Sequence, residues 1–254
     1  MMNASVFAEL LRHVNFRDLG GQRTQAGREV RHGVLFRSAA LAELSSAGIA
    51  ALRDLKIGTI FDFRADDERA LHPTPWREIG CRQYLVRDHA LPGGRNLDAL
   101  LDDERLTEDM HRGLMLRVFG LLPYEQADTF GRLFRSVAAG DGALLFHCTS
   151  GKDRTGIAAA LLLSALGVPR DSIAAEYLRT EDFDILASPA FRRDPPLPPK
   201  RLAALRPLYA PDRAFIEEMF RVIEARDGSV ENFLRNRLAL SENELAAFRD
   251  RLLV

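Results

Sequence analysis

Residues 143–166 read ALLFHCTSGKDRTGIAAALLLSAL, and this stretch decides the fold. Its first four residues are apolar and follow Gly142, which predicts a short buried strand. A turn that contains glycine comes next, and residues from about 155 to 166 predict an apolar helix. A strand, a turn and a helix in this order present backbone N–H groups at a helix N-terminus. Unpaired donors and the positive end of the helix dipole bind an anion there.

Two side chains in that turn can carry chemistry. Cys148 stands at its base, and Arg154 closes it after five intervening residues. The thiolate is the nucleophilic form of cysteine, and a helix N-terminus stabilises it. Arginine presents a planar fork that holds two phosphate oxygens at once and stays charged. The spacing therefore predicts a ring around one phosphoryl group, in which the thiolate attacks phosphorus and water hydrolyses the resulting phosphocysteine.

The alternative for Cys148 is a buried core cysteine beside a surface arginine, because cysteine is among the most buried residue types. The neighbouring residues favour the phosphate site instead. Gly151 and Gly156 permit close approach of the backbone. Thr155 can donate a hydrogen bond to the thiolate, and His147 can brace the turn.

The rest of the chain indicates an α/β fold. Residues 59–63 and 83–86 predict two further strands, and residues 97–122 and 125–137 predict helices. Helices that alternate with apolar strands are typical of a parallel sheet covered on both faces. We therefore predict a central parallel sheet flanked by helices.

The composition excludes several classes of protein. The chain of 254 residues has 35 basic and 36 acidic side chains, whereas a nucleic-acid-binding protein carries a basic excess. Two cysteines allow neither a disulfide framework nor a four-cysteine zinc site. The longest apolar run is about half of the roughly 20 residues that a membrane span needs, and no signal peptide is recognisable. We expect a cytoplasmic protein without a transmembrane segment or a nucleic-acid partner; secretion without a recognisable signal stays open.

The segment 147–156 resembles the signature of the cysteine-dependent phosphatases, Cys-x5-Arg with His before it and Ser or Thr after it. More narrowly, it is similar to the loop of the bacterial tyrosine phosphatases, His-Cys-x-x-Gly-Lys-Asp-Arg-Thr-Gly. Other blocks of that family are matched by residues 15–21, 35–39, 62–64 and 228–234.

The resemblance implies a single phosphatase domain over residues 1–254, with a tyrosine-phosphatase-like α/β fold. It implies hydrolysis of phosphotyrosine, and of phosphoserine, phosphothreonine or phosphoinositides as further substrates, with inorganic phosphate as product and no metal or cofactor. The phosphate is expected to bind the loop residues Thr149, Ser150, Gly151, Lys152, Asp153 and Arg154. Two rival hypotheses are a phosphoinositide or inositol-phosphate phosphatase and a phosphate-binding module without turnover.

Two carboxylates compete for the role of the acid that protonates the leaving group. In the narrower family, the residue at the position of Asp153 is thought to serve acid/base chemistry; the alternative is that Asp153 pairs with a nearby arginine. Asp88 begins a loop, residues 88–98, where related phosphatases carry a mobile acid; its alternative is an ordinary loop aspartate.

Lys152 resembles a lysine of the lipid phosphatases, where a second cation over the pocket favours polyanionic headgroups; the alternative is a salt bridge that stabilises the loop. Arg64 is expected to support the loop through Glu68. Three further residues are expected to form a buried ion-pair cluster near the site: Arg17, Asp18 and Arg37. The proline-rich segment 183–213 is either a helical lid or an exposed connector.

Overall fold

The computed structural model describes residues 13–85, 103–140, 142–188 and 191–254. Its five-stranded sheet has the order β1-β2-β5-β3-β4, in which β1 is antiparallel to β2 and the other neighbours are parallel. The strands are β1 Arg17–Asp18, β2 Leu35–Ser38, β3 Ile57–Asp62, β4 Arg82–Leu85 and β5 Ala143–His147. The predicted strands lie within two residues of β3, β4 and β5, and the α/β prediction is confirmed.

Eleven α-helices lie within the described residues. They are α1 Ser46–Asp54, α2 Asp66–Leu71, α3 Trp76–Ile79, α4 Glu108–Glu125, α5 Ala127–Ala138, α6 Asp153–Ala165, α7 Arg170–Leu178, α8 Pro199–Tyr209, α9 Arg213–Asp227, α10 Val230–Asn236 and α11 Glu242–Leu252. Of the helix predicted over 97–122, the described part is Glu108–Glu125, and Thr107 caps its start by accepting a hydrogen bond from the Met110 N–H; residues 97–102 lie outside the described residues. None of these helices is long and apolar enough to cross a membrane.

The central strand β5 is buried on both faces. Leu144 and Phe146 point into the larger hydrophobic core, which the helices from α4 onward share. Ala143 and Leu145 point to the opposite face, into a smaller core with α1 and α3. This alternation follows from the two-residue period of a strand. It places Cys148 at the carboxyl end of the central strand, on the side of the larger core.

The segment 183–213 contains more helix than a connector would. A 3-10 turn spans Ile185–Ala187, and α8 occupies Pro199–Tyr209 and packs against α4. No helix crosses the prolines at positions 195, 196 and 198, as the sequence predicts, and α8 begins at Pro199, the last proline of the run, where the missing N–H costs no helical hydrogen bond.

Candidate active site

The loop between β5 and α6 is anchored by its carbonyl groups. The carbonyl oxygens of four successive residues each accept one hydrogen bond from outside the loop. The pairs, donor first, are His147 Nδ1 with Cys148 O (3.1 Å), Ala40 N with Thr149 O (3.0 Å), Asn15 Nδ2 with Ser150 O (3.2 Å) and Arg37 Nη2 with Gly151 O (2.6 Å). Because a planar trans peptide points its N–H opposite to its C=O, the N–H groups of residues 149–152 face the other side of the loop. The Lys152 N–H among them donates to Ser150 Oγ at 3.3 Å; the others, together with the first turn of α6, form a concave cluster of donors suited to an anion.

Glycine is required at one position of this loop. Gly151 has a φ of +69°, and a Cβ there would lie 2.5 Å from Ser38 O on β2. Any side chain would therefore push the loop away from the strand that holds it. Gly156 faces a similar limit, since its Cβ would lie 2.9 Å from the ring of Tyr177. Both glycines permit the close approach that the sequence suggested.

Cys148 is 1% exposed and lies at the base of the concavity. Thr155 Oγ1 is buried and has no hydrogen-bond partner among the described residues, so its hydroxyl is available to a group bound in the loop. Burial lowers the pKa of His147, which leaves the ring neutral near pH 7. Its Nδ1 carries the proton, because the Cys148 carbonyl can only accept.

Arg154 is held end-on by Glu68, a contact that the sequence did not predict. Nη1 donates to Glu68 Oε2 at 2.7 Å and to Phe63 O at 3.1 Å. Nη2 donates to Glu68 Oε1 at 2.8 Å and to Thr149 Oγ1 at 3.2 Å. Thr149 Oγ1 itself donates to Glu68 Oε1. The Glu68 carboxylate thus binds the Nη1–Nη2 end of the guanidinium. The Nε–Nη2 edge can bind a second anion once Nη2 no longer donates to Thr149 Oγ1.

The charge on Glu68 is well stabilised. Burial alone would raise the pKa of this carboxyl, but the hydrogen bonds and charge of Arg154, with the Thr149 hydroxyl and the Ala65 N–H, lower it to about 2. The ion pair between Glu68 and Arg154 therefore persists at every pH well above 2.

The prediction that Arg64 pairs with Glu68 is wrong. Arg64 instead forms a two-point contact with Asp62, from Nε to Oδ1 at 2.9 Å and from Nη2 to Oδ2 at 2.8 Å. Arg64 lies before α2 starts, so a four-residue spacing from Glu68 does not place the two side chains on one helix face. Arg64 also donates to His72 O and Thr74 Oγ1, so it supports the chain after β3 rather than the loop directly.

Lys152 is fully buried and its ammonium is committed to the protein. Nζ donates to Leu208 O at 2.7 Å, to Pro207 O at 3.0 Å and to Ala210 O at 3.4 Å. It also lies 3.4 Å from Asp153 Oδ1. The expectation of a second cation over the pocket is therefore wrong for this side chain, and the salt-bridge alternative describes its surroundings.

Asp153 begins α6, and 27% of its side chain is exposed. Burial raises its pKa, while Lys152 and Arg154 act in the opposite direction. Among the described residues its ion pair is therefore with Lys152, not with an arginine as the alternative expected. Asp88, the competing acid, lies outside the described residues.

A buried ion cluster lies behind the loop, with one member different from the prediction. Glu176 on α7 accepts from Arg17 Nε and from Arg37 Nη1, both at 2.6 Å. Asp18 is not part of it, because its carboxylate accepts from the Gly20 N–H and contacts the turn at residues 32–33. Since Arg37 also donates to Gly151 O, the cluster fixes the loop from behind.

Within the described ranges, no three His, Cys, Asp or Glu side chains are grouped as metal ligands would be.

Comparison with known proteins gives a class for this fold and site. The sequence profile of the tyrosine phosphatase family matches residues 8–254. A Cupriavidus necator protein whose name assigns it to the tyrosine-protein phosphatases is 36% identical over 91% of this chain and 84% of its own length. Triple specificity protein phosphatase PtpB of Mycobacterium tuberculosis is 32% identical over 66% of this chain and 67% of its own. Among solved structures, TpbA of P. aeruginosa covers 76% of this chain and 89% of its own with a TM-score of 0.35 and 20% identity, a likeness too slight to support an inference.

The chain belongs to the tyrosine phosphatase family. It is an enzyme of that class, a protein-tyrosine phosphatase.

Proposed function

We propose that the protein hydrolyses phosphotyrosine in two steps, with Cys148 as the nucleophile. The thiolate attacks phosphorus, the bond to the tyrosine oxygen breaks, and a phosphocysteine forms. Water then attacks that intermediate, which releases inorganic phosphate and restores the thiolate. The four outward-facing carbonyl contacts of the loop carry this proposal, because they turn its N–H groups toward one anion.

The loop and Arg154 stabilise the charge that develops on the equatorial phosphate oxygens. The backbone N–H groups of residues 149–154 are fixed before the substrate arrives, so they need no reorganisation during the reaction. Arg154 offers the Nε–Nη2 edge to two oxygens, while Glu68 holds its other end. His147 fixes the loop carbonyl at Cys148, and Thr155 donates to the thiolate from its unpartnered hydroxyl. Arg64 supports the site from farther away through Asp62. No step requires a metal or a cofactor.

Asp153 is the proposed acid and base. A carboxyl whose pKa is raised by burial keeps its proton to higher pH, and it can give that proton to the leaving phenolate. The carboxylate then accepts a proton from the attacking water. Asp88 stays the competing candidate, and a comparison of Asp153→Asn with Asp88→Asn decides between them: the variant of the true acid loses the basic limb of the pH dependence of kcat.

The proposed substrate range extends to phosphoserine and phosphothreonine, and the name of the relative PtpB gives that protein a specificity for more than one kind of substrate. A phosphoinositide or inositol-phosphate substrate loses the support of Lys152, because that ammonium is bound by three carbonyl oxygens.

The whole chain, residues 1–254, is proposed to act as one phosphatase domain, since the family profile spans residues 8–254. A cytoplasmic location is proposed because both cysteines, Cys81 and Cys148, are buried free thiols, which suits a reducing compartment.

The test is phosphate release from a phosphotyrosine peptide, with each cysteine replaced in turn. Cys148→Ser is expected to bind the peptide but to release no phosphate. Cys81→Ser is the matched control, because Cys81 lies before β4 and its Sγ donates to Trp76 O at 3.5 Å. Turnover that survives in Cys148→Ser would overturn the proposed function.

A further inference from the structure

Lys152 lies between the active-site loop and the corner that joins α8 to α9. An ammonium has three N–H donors, and three carbonyl oxygens lie within 3.4 Å of Nζ. These oxygens belong to Pro207, Leu208 and Ala210, at the C-terminal end of α8. With Asp153 Oδ1, also at 3.4 Å, these oxygens are enough for the three donors, so the charge is satisfied without solvent or substrate.

The position of the acceptors explains why a buried charge is tolerated here. The last carbonyl groups of a helix have no partner within the helix and carry the negative end of its dipole. A buried ammonium without acceptors would be strongly unfavourable. The ammonium of Lys152 therefore donates to the unpaired carbonyl groups at the end of α8, and these carbonyl groups stabilise its buried charge.

The contact also reaches α9 and α4. Nζ lies 5.8 Å from the centre of the Phe215 ring in the first turn of α9. Earlier in α8, the Ala204 carbonyl accepts a hydrogen bond from His111 Nδ1 on α4 at 2.8 Å. Helix α8 is thus attached to the active-site loop at its C-terminal end and to α4 near its middle.

The same ammonium lies 3.4 Å from Oδ1 of Asp153, the proposed acid. Other titratable groups that act on this pair come from three sides: Cys148 and Arg154 in the loop, Tyr177 on α7 and Asp212 before α9. Lys152 is the member of this group that contacts both Asp153 and α8. A displacement of α8 would therefore move the cation beside the acid.

We propose that Lys152 is a positioning residue that ties the active-site loop to the end of α8 and steadies Asp153, and that it does not select polyphosphorylated substrates. The proposal rests on the proposed function, since Asp153 is the acid of that reaction. It assigns to Lys152 a role in the rate for every substrate rather than in the choice between them.

The first test uses the unmodified protein and an amine-reactive label read by mass spectrometry. The chain has three lysines, and Lys56 and Lys200 are exposed whereas Lys152 is buried. We expect labelling of Lys56 and Lys200 and no labelling of Lys152, with or without inorganic phosphate. Labelling of Lys152 that phosphate suppresses would overturn the proposal, because it would place the ammonium at the phosphate.

The second test compares Lys152→Met with Lys200→Met, in which the exposed lysine of α8 is replaced. We expect Lys152→Met to lower kcat/KM by more than tenfold, and by the same factor within twofold for a phosphotyrosine peptide and an inositol polyphosphate. The basic limb of the kcat profile moves to higher pH, because the cation that opposes the raised pKa of Asp153 is gone. Amide hydrogen exchange rises at the end of α8. Lys200→Met changes none of these.

A loss confined to the inositol polyphosphate, or unchanged exchange at α8, would contradict the proposal. These results are distinguishable from a failure of the proposed function, in which the unmodified enzyme would release no phosphate from the phosphotyrosine peptide. If Lys152→Met does not fold, the labelling experiment still tests whether the ammonium lies at the phosphate, which the proposal denies.

Discussion

Arg154 and Lys152 are two cations of one loop, two residues apart, and they face different parts of the molecule. Arg154 is held at one end by Glu68 and keeps an edge of its guanidinium for a second anion. Lys152 donates to carbonyl oxygens at the C-terminal end of α8, those of Pro207, Leu208 and the capping residue Ala210. The helix that starts here explains the difference, because residues two apart lie about 200° apart around an α-helix. A cation in such a loop can therefore bind the substrate or stabilise the fold, and its position in the sequence motif does not determine which of the two it does.

The largest effect is expected from Arg154→Lys, which keeps the charge but removes the fork. The compact ammonium of lysine cannot bind two phosphate oxygens and the Glu68 carboxylate at the same time, as the planar guanidinium can. We expect kcat/KM for a phosphotyrosine peptide to fall about 10³-fold with little change in the melting temperature. A decrease in kcat/KM of less than tenfold would mean that a positive charge alone is sufficient at residue 154. It would contradict the contrast between a substrate-binding Arg154 and a structural Lys152.

The second effect concerns Asp153, which lies 3.4 Å from Lys152 Nζ at the start of α6 and is partly exposed. Asp153→Asn is expected to lower kcat for phosphotyrosine about 10²-fold and to remove the basic limb of the pH profile. The loss should be much smaller for p-nitrophenyl phosphate, whose leaving group needs no proton. Equal losses for both substrates would show that Asp153 shapes the loop and donates no proton.

The third prediction tests the rigidity of the loop that separates the two cations. Gly151→Ala combines a positive φ with a Cβ 2.5 Å from Ser38 O, whereas Gly167→Ala has a φ of +80° and open space around it. Both variants therefore carry the strain of a positive φ, and only Gly151→Ala adds a steric clash. We expect Gly151→Ala to lower the free energy of unfolding by about 2 kcal/mol more than Gly167→Ala, measured by urea denaturation. Equal losses in the two variants would mean that the loop can move away from β2.

The smallest effect is expected from Glu68→Gln, which weakens the hold on Arg154. A misoriented guanidinium should lower kcat/KM about tenfold. The pKa of Glu68 is lowered from 4.5 to about 2 in the folded protein, so its contact contributes stability above pH 4.5 that is lost as the pH falls toward 2.

The stability difference between Glu68→Gln and the unmodified enzyme should therefore shrink from pH 5 to pH 2, which acid titration of the unfolding transition measures. A difference that stays constant over this range would show that Glu68 does not carry its charge in the contact.

The sequence predicted the local parts of this site and missed the long-range ones. The strand, turn and helix at residues 143–166 follow from apolar runs and glycines, and the structure has them at nearly the same bounds. Glu176 lies 139 residues from Arg37, and Glu68 lies 86 residues from Arg154. No local spacing encodes which buried carboxylate meets which arginine once the sheet and helices have assembled.

The direction of Lys152 was unpredictable for the same reason. Its acceptors lie on α8, 55 to 58 residues farther along the chain, and they are backbone carbonyls that any sequence would supply. A signal for Glu68 does exist in hindsight: three consecutive acidic residues, Asp66, Asp67 and Glu68, begin the helix that follows the third strand of the chain. An acidic cluster next to a strand end can hold a cation of the neighbouring strand end.

Rapid-quench analysis of a single turnover tests the central claim most directly. The enzyme is mixed with a phosphotyrosine peptide carrying radiolabelled phosphate, quenched within milliseconds and digested. The account predicts a transient phosphoryl label on the peptide that contains Cys148, formed before inorganic phosphate appears, and no label in Cys148→Ser. Release of inorganic phosphate at the full rate with no label at Cys148 would contradict it.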